Sequence, residues 1–209
     1  MRSYDQYCGL ARSLEIVGDR WNLLVVRELL IGPARYRDLQ IGLPGIATNL
    51  LAERLRHLEA SGVIERRLAG DSNAVQYALT AWGAELRKPI DGLLRWSLPL
   101  MVSGPKVGDT FRPNWLALAI PALLENRVDA RPSTAIGLEV GDELLQLCAT
   151  ESGFEVGLHD GRILEATVRA DAAGLLGLAA GALTVDDAQA LGLIDIRGDD
   201  SIVRTCFAG

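Results

Sequence analysis

Before residue 98 the apolar positions recur mainly three and four apart, the spacing of helices with one buried face. In RWNLLVVRELLIG, Trp21, Leu24, Val25 and Leu29 share such a face; Asp19 stands where it can cap the helix, and Gly32-Pro33 stops it. RYRDLQIGL gives a short second helix that ends at Pro44-Gly45. A third helix opens at Thr48 or its neighbour and ends near Ser61-Gly62, where glycine supplies the left-handed conformation that closes a helix. Two strand-like runs, 63–68 and 75–79, then flank a Gly-Asp-Ser-Asn turn and predict a hairpin. AWGAELRKPIDGLLRWS resumes helical spacing through Leu86, Ile90, Leu93, Leu94 and Trp96.

Backbone punctuation is dense in LPLMVSGPKVGDTFRP, residues 98–113, which holds Pro99, Gly104, Pro105, Gly108 and Pro113. This divides the chain into a first domain over 1–100, a linker over 101–112 and a second domain over 113–209. Beyond the linker, NWLALAIPALLE reads as an apolar helix kinked at Pro121, followed by alternating runs near 134–140, 144–149 and 153–158. His159-Asp160-Gly161 has the composition of a hairpin turn leading to a further strand around 162–168. DAAGLLGLAAG and TVDDAQALG return to helical spacing, so this half reads as α+β.

On the third helix, Leu51, Leu55 and Leu58 form one side, with Leu50 at its margin, while Asn49, Ala52, Glu53 and Arg56 form the other. Two short helices joined by a Pro-Gly turn, the second followed by a hairpin, give the order of a winged helix-turn-helix. Thr48 and Asn49 then lie where a recognition helix meets base edges, and Asn or Arg side chains can form paired hydrogen bonds to adenine or guanine. An isolated amphipathic helix of this kind more often simply faces water. Here its neighbours favour DNA: Arg35 and Arg37 precede and enter the helix before it, Arg54 borders the leucine stripe, and Arg66 and Arg67 begin the hairpin, a set suited to phosphates. His57 reads as a polar-edge residue.

Composition allows this reading without requiring it. A chain of 209 residues with 49% hydrophobic positions can bury substantial cores. No stretch approaches the roughly 20 apolar residues needed to span a bilayer, and the N-terminus lacks a signal-type apolar run, so a soluble cytoplasmic protein with no membrane partner is expected. Three widely spaced cysteines, Cys8, Cys148 and Cys206, fit neither a disulfide framework nor a metal cluster. The net charge of −6 is divided unevenly: residues 1–100 carry 13 Lys+Arg against 11 Asp+Glu, and 101–209 carry 8 against 16. The first half is therefore slightly basic and the second strongly acidic.

The segments YCGLARSLEIVGDRWNLLVVRELLIGP, RYRDLQIGLPGIATNLLAERLRHLEASGVIERR and YALTAWGAEL closely resemble the HxlR-type transcriptional regulators, relatives of the MarR group, over residues 4–97. The resemblance implies a homodimer on palindromic double-stranded operator DNA. Its DNA-facing residues would come from Arg35, Arg37, Thr48, Asn49, Glu53, Arg54, Arg56, Arg66 and Arg67. The terminal helices of the domain would make the dimer, with Leu10, Leu14, Leu93 and Trp96 as contact candidates, each of which could equally be core. The hairpin tip LAGDSNAV departs from the pattern by lacking basic residues and carrying Asp71. Cys8 occupies the place of an N-terminal cysteine that senses redox state in some members; the residue pattern alone favours a structural, buried thiol.

LHDGRILEATVRADAAGLLGLAAGALTVDDAQALGLIDIRGDD resembles a sterol-carrier-protein-2-like domain, the resemblance extending over about 110–209. Such domains hold apolar ligands between a curved sheet and its helices, which makes Trp115, Leu116, Ile120, Leu123, Leu175 and Leu178 candidate walls for an apolar small-molecule effector, although the spacing itself reads as core. A final helix usual in these domains is not evident where the chain ends in IVRTCFAG. No metal ligands, cofactor fingerprint or phosphate loop are legible, and neither His57, His159 nor Asp186-Asp187 forms a catalytic arrangement, so no enzyme is expected. A lipid carrier and a Cys8-based redox regulator stand as alternatives to an effector-linked DNA-binding regulator.

Overall fold

The computed structural model describes residues 3–68, 74–101, 104–125, 134–151 and 153–207, which group by contacts into two compact units, Met1–Ile90 and Asp91–Gly209. The first unit begins with α1 (Gly9–Val17), α2 (Asn22–Ile31), α3 (Tyr36–Gly42) and α4 (Thr48–Ala60). Val25, Val26, Leu29, Leu39, Leu43, Leu51, Leu55 and Leu58 of these helices and their turns are buried together with Val63, Ile64 and Ala78 of the hairpin region. The apolar spacing of α2, α3 and α4 thus turns their leucines and valines inward, whereas α1 buries only Ala11. Asp19 does not cap α2: Trp21 holds the N-cap position, the Asp19 carbonyl accepts from Asn22 N at 3.0 Å, and its carboxylate pairs with Arg54. Gly62 closes α4 at φ 75°, a conformation that a side chain would strain.

The hairpin follows as β1 (Ile64–Leu68) and β2 (Val75–Leu79), antiparallel with Ile64 opposite Leu79 and Leu68 opposite Val75. Its anticipated Gly-Asp-Ser-Asn turn, including Asp71, lies outside the described residues. Ala34 adds a bridge to Tyr77 through hydrogen bonds of 3.0 and 2.8 Å, so the entry to α3 is anchored on the hairpin. The following helical segment is two helices, not one: α5 (Ala81–Ala84) and α6 (Arg87–Met101). Thr80 caps α5 by accepting from Gly83 N at 3.0 Å, and Pro89 fits the first turn of α6, where its missing N–H costs nothing. The division between the two units falls inside α6.

The second unit contains a 3-10 turn (Pro113–Trp115), α7 (Leu116–Leu124), and the strands β3 (Ala135–Val140), β4 (Glu143–Thr150), β5 (Gly153–Leu158) and β6 (Ala166–Ala170). It continues through α8 (Ala172–Ala180), α9 (Val185–Ala190), β7 (Ile194–Gly198) and α10 (Asp200–Phe207). The sheet order is β5-β4-β3-β6-β7, antiparallel except for the β3–β6 pair. Ile136, Leu138, Leu145, Leu147 and Val168 project from one face into a core completed by Leu116, Ile120, Leu175, Leu178 and Val203. Asp171 caps α8 and Thr184 caps α9, each accepting from a backbone N–H in the first turn.

Two expectations for this unit are overturned. His159-Asp160-Gly161 does not close a hairpin: β5 pairs only with β4, and β6 begins at Ala166 beside β3, parallel to it. The intervening segment crosses the sheet's second face, where Leu164 lies over Gly137 so closely that a Cβ there would sit 2.9 Å from it. Turn composition is local, whereas the choice of β3 as partner is not. The terminal IVRTCFAG is not a missing helix but most of one, since α10 runs through Phe207 and buries Val203, Cys206 and Phe207.

Candidate nucleic-acid interface

α4 is placed by its leucines and leaves its other side open. Leu51, Leu55 and Leu58 are buried, while Thr48, Asn49, Glu53 and Arg56 are exposed. Thr48 is the first helical residue, with Ala47 at the N-cap, and no side chain caps the helix. Its early backbone N–H groups therefore present a positive end suited to an anion. Two residues absent from the sequence-based candidates fix this end. Tyr36 Oη donates to the Thr48 carbonyl at 2.7 Å, and Gln40 Nε2 donates to Thr48 Oγ1 at 2.9 Å. Both lie on α3, and their contacts depend on the angle between the two helices, which no sequence spacing displays.

The candidate arginines separate into different environments. Among the described residues Arg37 and Arg56 carry no ion-pair partner, and both are exposed; Arg56 Nε makes only a 3.3 Å bond to the Ala52 carbonyl of its own helix. Arg35 is exposed at the start of α3, where its backbone N–H donates to the Asp38 carboxylate at 3.1 Å. Arg66 makes a two-pronged pair with Glu59 at 2.8 and 2.7 Å, and Arg67 pairs with Glu65. The Arg66 guanidinium holds the Glu59 carboxyl below its ordinary pKa. Arg54 differs from all of these: its side chain is 11% exposed and is tied to Asp19 and Glu53. Among them, Arg37 and Arg56 are the cations least engaged within the protein.

His57, expected at the polar edge, is half-buried, with Nε2 3.1 Å from the Ile16 carbonyl. Leu10, Leu14, Leu93 and Trp96 are all exposed, Trp96 at 74%. Their positions are therefore not core positions within one chain. Beside α1, a groove of about 280 Å³ is lined by Ile16, Val17, Val63, Trp82, Leu86 and Pro89, among others. Cys8 is exposed at the N-cap of α1, where the Ala11 and Leu10 N–H groups lower its pKa.

The ligand-wall candidates of the second unit divide between core and margin. Leu116, Ile120, Leu175 and Leu178 are fully buried, whereas Trp115 and Leu123 are half-buried, Trp115 meeting Phe111 edge-on. A larger and more polar cleft of about 520 Å³ lies on the β4–β5 region, with Gln146, Cys148, Thr150, Glu155 and Arg162 in its lining. None of the six candidates lines it. Gln146 Oε1 accepts there from Asp160 N at 3.2 Å, and Arg162 pairs with Asp160 at 2.6 Å.

The HxlR-like helix-turn-helix family matches residues 16–102. The HTH-type transcriptional regulator YkvN of Bacillus subtilis is 33% identical over 90 residues, which is 43% of this chain and 76% of that protein. YodB of the same organism is 31% identical over 86 residues, covering 41% and 77%. The solved reduced form of YodB aligns at 29% identity and a TM-score of 0.41, covering 48% of this chain and 100% of that one.

Proposed function

Because this chain belongs to the HxlR-like helix-turn-helix transcriptional regulators, we propose that it binds palindromic double-stranded operator DNA as a homodimer, with α4 reading bases in the major groove. The observation that carries this reading is the division of α4: three buried leucines hold it in place, while Thr48, Asn49, Glu53 and Arg56 remain exposed beside an uncapped N-terminus. Arg37 and Arg56 supply cations with no internal ion pair among the described residues, and Arg35, Arg66 and Arg67 are exposed nearby in sequence. Arg66 and Arg67 would exchange an acidic partner for a phosphate, which gives them a smaller net gain. The exposed Leu10, Leu14, Leu93 and Trp96 suit burial between protomers. No helix of the described residues is long and apolar enough to cross a membrane. In-vitro selection from random duplexes tests the reading: it expects enrichment of a two-fold symmetric site, and an unenriched or asymmetric pool would contradict it.

The acidic unit would adjust this activity by sensing an apolar small molecule, a role supported by its resemblance to sterol-carrier domains and by a sheet with apolar helices against one face. Trp115 and Leu123 offer the accessible edge for entry, since the other four candidates already fill the core. Native mass spectrometry of the purified chain should find a copurified apolar molecule, and loss of that mass on Trp115→Ala would locate it; a ligand-free chain across expression hosts would contradict the sensing role. A second reading has its own observation: Cys8 is exposed at a helix N-terminus that favours the thiolate. On that reading oxidant releases DNA from the native chain and not from Cys8→Ser.

A further inference from the structure

We propose that Arg54 and His57 are positioning residues which tie the reading helix to the turn between α1 and α2, rather than contacts to DNA; this rests on the DNA-binding reading above. The two lie three residues apart on α4, one turn of a helix, and their side chains converge on one short segment. Arg54 reaches the Asp19 carboxylate, and His57 Nε2 lies 3.1 Å from the Ile16 carbonyl. A carbonyl only accepts, so the His57 proton sits on Nε2. The same Ile16 oxygen accepts from Asn22 Nδ2 at 2.6 Å, and Asn22 is fully buried at the start of α2. One carbonyl at the end of α1 is therefore held from α2 and α4 together, and Asp19 adds a charged tie within the same turn.

This arrangement explains why Arg54 differs from its neighbours. Arg56, two residues on, is exposed, whereas Arg54 keeps only 11% of its side-chain surface and its Nε is buried without a partner. Reaching a phosphate would break the contacts with Asp19 and Glu53 that hold the guanidinium against the protein. The tie joins α1, which carries exposed Leu10 and Leu14, to α4, which carries the exposed polar face.

The test uses the full chain and a duplex obtained by in-vitro selection, with affinity measured over a range of salt concentrations and folding checked by thermal melting. Asp19→Asn removes a negative charge, so simple electrostatics predicts tighter binding. The positioning role predicts the opposite sign: Asp19→Asn and His57→Phe, which keeps a ring without the donor, each weaken operator binding by at least about fivefold and leave the salt slope unchanged. If Asp19→Asn tightens binding and steepens the slope, or if Arg54→Gln flattens the slope by about one counterion, Arg54 is a phosphate contact and the proposal fails. Should a single variant lose its fold, the reversed pair Asp19→Arg/Arg54→Asp recovers operator affinity if the tie is what matters, and no recovery in a folded protein overturns it. A native chain that binds no duplex would overturn the DNA-binding reading itself, whereas native binding with phosphate-type responses overturns only the positioning role.

Discussion

Cys8, Cys148 and Cys206 occupy three environments that chemical modification can rank. The helix N-terminus draws Cys8 below the ordinary thiol pKa; burial pushes Cys148 up, with the Arg162 guanidinium opposing it; and burial takes Cys206 up to about 11. In the native protein, alkylation read by mass spectrometry should modify Cys8 first, Cys148 more slowly and Cys206 only on unfolding; early loss of Cys206 would contradict the packing of α10. The raised Cys206 value also sets a sign. The folded state binds this proton more tightly than the unfolded chain, so its contribution to stability is complete below the ordinary thiol value and is lost as pH rises toward about 11. Gly83 gives a sharper packing test. A Cβ there would lie 1.9 Å from the Val63 carbonyl oxygen, a backbone atom that cannot swing away, so Gly83→Ala should destabilise by about 1–3 kcal/mol in chemical denaturation. A neutral result would mean that the α5 and Val63 backbones are not this close.

Among the elements, α4 was the most legible in sequence because its signals are local: the leucine stripe, the small polar start and Gly62 all act within one helix. The exposed set Thr48, Asn49, Glu53 and Arg56 follows from the same periodicity. What sequence spacing did not reveal depends on other elements. Asp19 looked like a helix cap and is an ion-pair partner of α4; Arg54 looked like a phosphate contact and is nearly covered; Tyr36 and Gln40 drew no notice and hold Thr48. The β5–β6 crossover follows the same rule, since its His-Asp-Gly turn signal is real and its strand pairing is decided elsewhere. For α4 itself, Asn49→Ala and Arg56→Ala should each cost roughly 1–3 kcal/mol on the operator and little on random duplex. Arg37→Ala should weaken binding to every duplex alike and reduce the salt slope by about one. Competition titrations on both DNAs distinguish these outcomes: equal losses on both for Asn49→Ala would make it a backbone contact.

At the scale of the whole molecule, the chain joins a mildly basic reading unit to a strongly acidic one, with 13 Lys+Arg against 11 Asp+Glu in residues 1–100 and 8 against 16 beyond. Net charge of −6 disfavours indiscriminate attraction to DNA, so on the proposed reading affinity would come from a local cationic surface and from two copies acting together. The proposed two-fold symmetric dimer would require two-fold symmetry in the site, with half-sites about one helical turn apart. An apolar effector held by the second unit could change operator affinity only by binding DNA-competent and incompetent dimers differently, and operator DNA must then change effector affinity by the same factor. All of this depends on a sequence-selective dimeric complex. The most direct measurement is a titration of the full chain against the selected palindrome and a scrambled duplex of equal length, with complex mass read at saturation and affinity read at several salt concentrations. Two protomers per palindrome, preference for the palindrome by about a thousandfold or more, and affinity that falls steeply with salt are expected. Equal affinity for both duplexes, or one protomer bound per site, would contradict the proposed function.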